Sequence, residues 1–422
     1  MQPAARVAAA IELLAEIGAG GEAADRVVDR YFRNRRYAGK GDRAAVASLL
    51  WYAVRRGQSL GWLTGVGQGI APRLAVFAAA VLTGFTDAAT LEQLCSGEGY
   101  APAPLDPAER QALDRLAEGR ELPAWVVGDY PAELEPLLAR RYGPRLAEVM
   151  VAMGGRAPLD LRVNTLKTTR EAALAELRAL GLTVEPMAHA PAGIRVAGRE
   201  RLGQLAPFAE GRIEIQDEGS QLVALACAAE PGQAVADFCA GAGGKTLALA
   251  AAMGAKGRLA ALDVEKRRLG RMAPRLERAG IQNFVEQAEI SADFLAAEAG
   301  RFDCVLVDAP CSLSGTWRRA PAQRWTTTPA RVAELAALQA RILDQAAGLV
   351  KPGGRLVYAT CSVFVEEDED VVQGFLARRA DFAPVDHGVL LPGIPGGPLG
   401  IALDPAAQGT DGFFLSVLRR AA

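Results

Sequence analysis

Two cysteines occupy positions where side chains meet reactants. Cys361 follows the apolar run of "LVYATCSVFVEEDEDVV", and Cys311 follows a second such run in "FDCVLVDAPCSLSGTWRR". Parallel α/β sheets present ligands to the carboxyl ends of their strands, and a thiol placed there can act as a nucleophile. A buried cysteine is otherwise a small hydrophobe, a description that suits Cys95, Cys227 and Cys304. The sixth cysteine, Cys239, sits inside the glycine-rich turn "DFCAGAGGKT", Asp237 to Thr246.

That turn admits three readings. A phosphate-binding P-loop needs a glycine, then four residues, then Gly-Lys-Thr, and Cys239 stands at that first position instead. A dinucleotide turn needs a third glycine where Thr246 stands. A methyltransferase turn, Asp-x-Gly-x-Gly-x-Gly, is met at Asp237, Gly241 and Gly243, with Cys239 at the first glycine position. Its glycines let the backbone of Cys239, Ala240, Gly241, Ala242, Gly243, Gly244 and Lys245 approach the methionine and sugar of S-adenosylmethionine. Asp263 lies 20 residues after Gly243, the interval expected of an acid that holds ribose hydroxyls.

These residues need a scaffold, and the pattern supplies one. From about Ile213 onward, apolar strands alternate with glycine-rich turns and helical runs, which predicts an α/β fold with a doubly wound parallel sheet. Upstream, "LDLRVNTLK", "LTVEPM" and "AGIRVAG" read as strands and "TTREAALAELRALG" as a helix, a small α+β unit. Residues 1–120 show helical spacing throughout, as in "ARVAAAIELLAEI" and "RLAVFAAAVLTGF". The expected domains are therefore 1–120, 121–212 and 213–422.

The 422 residues carry a formal charge of -2, so global charge does not announce a nucleic-acid partner. Local charge does: "YFRNRRYAGKGDR", "ARRYGPR" and "WRRAPAQRW" are basic with aromatics beside them. Two histidines and six cysteines without paired spacing argue against a metal site and a histidine-based triad. The longest apolar run is too short to span a bilayer, and the start lacks a signal-type apolar segment. The expectation is a soluble cytoplasmic monomer, with no membrane and no metal.

"QDEGSQL", "DFCAGAGGKT", "VDAPCS" and "ATCS" together resemble the RsmB/Sun family of RNA 5-methylcytosine methyltransferases. The resemblance covers about residues 121–420, and "YAGKGDRAAVASLLWYAVRR" is weakly similar to the NusB-like domain of the RsmB branch. It implies a Rossmann-like class I methyltransferase domain, a small RRM-like RNA-binding subdomain and an all-α NusB-like N-terminal domain. It also implies S-adenosylmethionine as cofactor and RNA, specifically 16S ribosomal RNA, as partner. Carried over residue by residue, it makes Cys361 the nucleophile toward cytosine C6, Cys311 the thiol that helps resolve the adduct, and Asp308 the carboxylate near N3 and N4 that also borders the cofactor. Transfer RNA as substrate and a non-catalytic RNA-binding assembly factor are the alternatives. The acid after the third strand is ambiguous, Glu289 or Asp293. Leu313 replaces a smaller residue after Ser312, and Arg318 and Arg319 read as phosphate contacts. Arg162 and Asn164 are read either as nucleotide-positioning or as braces of the catalytic strand.

Overall fold

The computed structural model describes residues 1–67, 71–118, 121–198 and 202–422. Its contacts group into two units. The first comprises Met1–Gly155 with Trp317–Thr328, and the second Arg156–Thr316 with Pro329–Ala422.

The first unit is helical among its described residues. Val7, Ala10, Leu14 and Ile17 recur on one face of the helix Pro3–Ala19 and pack with Val46, Leu49, Leu50 and Ala53 of Lys40–Arg55 and with Val76, Phe77 and Ala80 of Pro72–Leu82. The apolar run at Leu74 is thus a core helix, buried from Leu74 through Ala80. Among the described residues no helix is long and apolar enough to cross a membrane. Asp87 and Asp106 cap the helices Ala88–Leu94 and Pro107–Asp114 through their carboxylates.

The segment Trp317–Thr328 corrects the reading of Arg318 as a phosphate contact. Trp317 is fully buried, and Arg318 and Arg324 are 5% and 2% exposed. The Arg324 guanidinium lies 5.3 Å from the Trp317 ring centroid and donates to the Asp129 carbonyl at 3.1 Å. Arg55 donates to the Arg318 carbonyl at 2.8 Å. The apolar stems and aromatic neighbours draw these cations inward, and only Arg319 stays half-buried.

The second unit holds two sheets. Strands β1 (Leu159–Val163), β2 (Val184–Pro186), β3 (Gly193–Val196) and β4 (Ile213–Ile215) pair antiparallel in the order β2-β3-β1-β4. The helix Arg170–Ala179, capped by Thr169, lays Ala173, Leu174 and Leu177 on this sheet. The larger sheet comprises β5 (Ala234–Asp237), β6 (Arg258–Asp263), β7 (Val285–Glu289), β8 (Phe302–Asp308), β9 (Val350–Thr360), β10 (Phe382–Pro384), β11 (Ile401–Leu403) and β12 (Phe413–Arg420). Its order is β10-β12-β9-β8-β5-β6-β7, with β11 on β12. Strands β5 through β9 pair in parallel, whereas β12 runs antiparallel to β9.

Both faces of this sheet are covered, which explains the continuous apolar strands. On β8, Cys304 and Leu306 enter one core while Phe302, Val305 and Val307 enter the other. The chain starts at β5, winds out to β6 and β7, and returns to β8 on the opposite side of β5. That reversal opens a crevice beyond the carboxyl ends of β5 and β8. The fold is the doubly wound, Rossmann-like sheet that the strand–helix alternation predicts, with a helical N-terminal region.

Candidate active site

The turns after β5, β6, β8 and β9 all meet at this crevice. After β5, Gly241 has φ 54° and Gly243 φ 82°, the left-handed region that glycine adopts without steric cost. A Cβ on Gly243 would overlap the Met272 side chain. The helix Gly244–Ala252 follows directly. Its Thr246 hydroxyl donates to Asp237 at 2.7 Å, and burial pushes the Asp237 carboxyl up to about 6. Cys239 remains a thiol, its pKa raised first by burial.

Asp263 ends β6 almost fully buried. It accepts the Gly241 N–H at 3.0 Å on one oxygen and the Glu265 N–H at 3.0 Å on the other, so it fastens the glycine turn to the second strand. Glu289 pairs in register with Asp263 at the end of β7 and is exposed. Asp293 lies in the first turn of the helix Ala292–Ala297, also exposed. Both carboxylates stand beyond the same strand end.

After β8, Asp308 accepts a hydrogen bond from the Lys245 ammonium at 2.5 Å. Burial opposes the charge on Lys245, but Asp308, and to a lesser degree the Cys361 sulfur and Asp237, hold its pKa above the ordinary value. This ammonium also lies 5.6 Å from the ring centroid of Phe413, which is buried at the start of β12. The Cys311 and Cys361 sulfurs are 3.4 Å apart. The Cys361 sulfur, burial and Glu367 together hold the Cys311 thiol well above its usual range.

A buried polar clamp fixes this separation. Glu367 is fully buried and accepts from the Ser312 N–H at 2.9 Å, from Gln339 Nε2 at 2.9 Å and from the Ser362 hydroxyl at 2.6 Å. It thus holds the residue following each cysteine. Ser314 joins the same cluster and takes the Val363 N–H at 2.9 Å. Asp368, equally buried, accepts from Thr360 at 2.6 Å. Gly315 N–H donates to the Cys361 carbonyl at 2.9 Å, and Gly412 N–H to the Gly315 carbonyl at 2.8 Å. The helix after this acidic run starts only at Glu369. Nothing in the charge pattern separates the inward Glu367 and Asp368 from their neighbours.

The small sheet is tied to the same turn. Arg162 donates to Gln216 Oε1 at 2.6 Å, and Gln216 Nε2 donates to the Gly244 carbonyl at 3.3 Å. Asn164 donates to the carbonyls of Gly211 and Ala279. Both residues are buried, and these contacts are those of braces. Glu218 accepts from the N–H groups of His189 and Ala190 and pairs with Arg195, which also holds Asp160.

The donor set fits S-adenosylmethionine: a glycine turn open to close backbone approach, a buried acid at the end of the second strand, and exposed Val264 beside it. Among the described residues no group of three or more His, Cys, Asp and Glu could hold a metal ion.

Comparison with known proteins agrees with this architecture. Residues 224–419 match the family described as 16S rRNA methyltransferase RsmB/F, and residues 130–201 match the ferredoxin-like domain of RsmF/B-like methyltransferases. Ribosomal RNA small subunit methyltransferase B of Salmonella newport is 35% identical over 289 residues, covering 68% of this chain. The match spans 66%, just under two thirds, of that protein's length. The crystal structure of PH0851 superposes with a TM-score of 0.79 at 26% identity, covering 100% of this chain and 99% of that one. A methyltransferase homolog from Pyrococcus horikoshii has a TM-score of 0.60 at 28% identity, covering 70% of this chain and 97% of its own. The two family matches together take in well over half of the residues, and the chain belongs to the RsmB/F methyltransferase family.

Proposed function

We propose that the protein is an S-adenosylmethionine-dependent RNA cytosine-C5 methyltransferase acting on 16S ribosomal RNA. The observation that carries this reading is the pair of sulfurs 3.4 Å apart beside the Lys245–Asp308 ion pair. Cytosine C5 is a poor nucleophile until a thiolate adds to C6 and turns the ring into an enamine. When bound, S-adenosylmethionine supplies a methyl group on a sulfonium centre. The groups that act on the base are residues of this chain.

The target base leaves its stack to enter the crevice. The Cys361 sulfur forms a bond to C6, and the electron pair of the C5–C6 double bond moves toward C5. Asp308, held by Lys245, faces the N3 and N4 edge and accepts from the N4 amino group, and the Lys245 ammonium beside it offsets the negative charge that the attack leaves on the ring. C5 then takes the methyl group. Solvent water takes the C5 proton, the C5–H electron pair re-forms the C5–C6 double bond, and the S–C6 bond breaks with its electron pair returning to the Cys361 sulfur as thiolate. Cys311 stands next to the departing sulfur and assists its release. The turn from Cys239 to Lys245, with Asp263 and with Glu289 or Asp293, holds the cofactor. The domains 1–120 and 121–212 supply the grip on RNA, and 213–422 the chemistry.

The test is methyl transfer from labelled S-adenosylmethionine to protein-free 16S ribosomal RNA, followed by bisulfite sequencing. One protected cytosine supports the reading. Label that appears on a base other than cytosine, or on no RNA, overturns it. Transfer RNA as an added substrate distinguishes the ribosomal assignment from its alternative.

A further inference from the structure

Leu313 follows Cys311 by two residues and has φ 60°. Among the described residues, three other non-glycine positions share a positive φ: Asp129, Ala228 and Ala255. Leu313 alone of these carries a large apolar side chain, and that side chain is 39% exposed. Left-handed backbone crowds the Cβ of any L-residue other than glycine, and strain of this kind persists only where the surroundings impose it.

The surroundings here do impose it. The Ser312 N–H is held by Glu367, and the Leu313 carbonyl accepts both the N–H and the hydroxyl of Thr316 at 2.9 Å. The left-handed turn directs the Leu313 N–H toward the Cys311 sulfur. Glycine would provide the same amide without the crowding. The backbone therefore accounts for the turn and leaves the isobutyl group unexplained. Partly exposed, it adds little to the core. It is also close to the chemistry: two residues separate Cα atoms by at most about 7 Å, and the reacting ring must lie within bonding range of the adjacent sulfur.

We infer that Leu313 is a specificity-determining residue, whose side chain forms an apolar wall against the cytosine held over the two sulfurs. The inference rests on the functional reading above and adds to it a residue that recognises the substrate. A pyrimidine seated against Leu313 covers apolar surface that is otherwise open to water. The side chain is thus used only when the base is in place.

Three variants test it, with methyl transfer to transcribed 16S ribosomal RNA as the assay. Leu313→Asn keeps the size and tolerates left-handed backbone, Leu313→Gly removes the side chain, and Leu313→Met keeps an apolar one. Asn and Gly variants are expected to melt within about 2 °C of the native protein, to bind S-adenosylmethionine as it does, and to lose about tenfold in kcat/KM for RNA. Leu313→Met retains at least half of the native kcat/KM. Native protein that methylates cytosine while the Asn and Gly variants match it overturns the role of Leu313 alone. Asn and Gly variants that melt more than about 5 °C lower show that the side chain serves the fold, which also overturns it. Native protein that methylates no cytosine overturns the functional reading, and this role with it.

Discussion

Removal of the Glu367 carboxylate loosens both cysteine loops at once, and the structure sets the scale. Glu367→Ala removes the acceptor of three buried hydrogen bonds, from the Ser312 N–H, the Gln339 amide and the Ser362 hydroxyl, although Gln339 keeps the Pro310 carbonyl and Ser362 keeps the hydroxyls of Ser312 and Ser314. Each lost hydrogen bond costs about 1 kcal/mol, so the loss of stability is about 3 kcal/mol. For a unit the size of the second one, that lowers Tm by about 6–12 °C. Glu367→Gln keeps one acceptor for Ser312 and Gln339 and loses the one for Ser362, so its cost is about 1 kcal/mol. Turnover is expected to suffer more than stability, because Ser312 and Ser362 each adjoin a cysteine. A displacement near 1 Å costs about 10²-fold in rate. The assay combines thermal melting, single-turnover methyl transfer, and the rate at which copper–phenanthroline oxidises Cys311 and Cys361 to a disulfide. Both variants are predicted to form that disulfide more slowly and to lower kcat, in the order Ala worse than Gln. Native melting, native turnover and native disulfide formation in Glu367→Ala would refute the clamp.

Asp237 gives a pH signature. Burial holds its carboxyl up to about 6, above the ordinary 3.8. Its protonated form therefore favours the folded state below pH 3.8, and that contribution, about 3 kcal/mol, is lost as pH rises through about 6. Asp237→Asn, neutral throughout, is predicted to remove this slope, so that urea denaturation shows the variant gaining on the native protein between pH 4 and pH 7; parallel curves would contradict the burial argument. Gly243→Ala combines a left-handed backbone with overlap on Met272, and is expected to cost about 1–3 kcal/mol and to weaken S-adenosylmethionine binding at least tenfold by calorimetry. Unchanged affinity would remove the turn from the cofactor site.

Much of this was legible because the candidate site residues lie at strand ends. An apolar run that stops at Asp237, Asp263, Asp308 or Thr360 marks both the strand and the edge it reaches, so local pattern sufficed for the sheet and for the setting of the two cysteines. What stayed hidden depends on long-range packing. Arg318 and Arg324 carry the charge of surface residues, yet both are buried, Arg324 against the Trp317 ring and the Asp129 carbonyl. Glu367 sits among acids that look alike, and only partners 28 and 55 residues away distinguish it. The left-handed backbone of Leu313 has no sequence mark beyond a large residue in a run of small ones.

The most direct measurement is the fate of the enzyme–RNA bond when one sulfur is removed. Cys311→Ala protein, incubated with 16S ribosomal RNA and S-adenosylmethionine, should run as a denaturation-resistant protein–RNA adduct, with the nucleotide mapped to Cys361 by mass spectrometry, while Cys361→Ala gives neither adduct nor product. An adduct carried by Cys311 in the Cys361→Ala protein, or full turnover by either variant, would contradict the account.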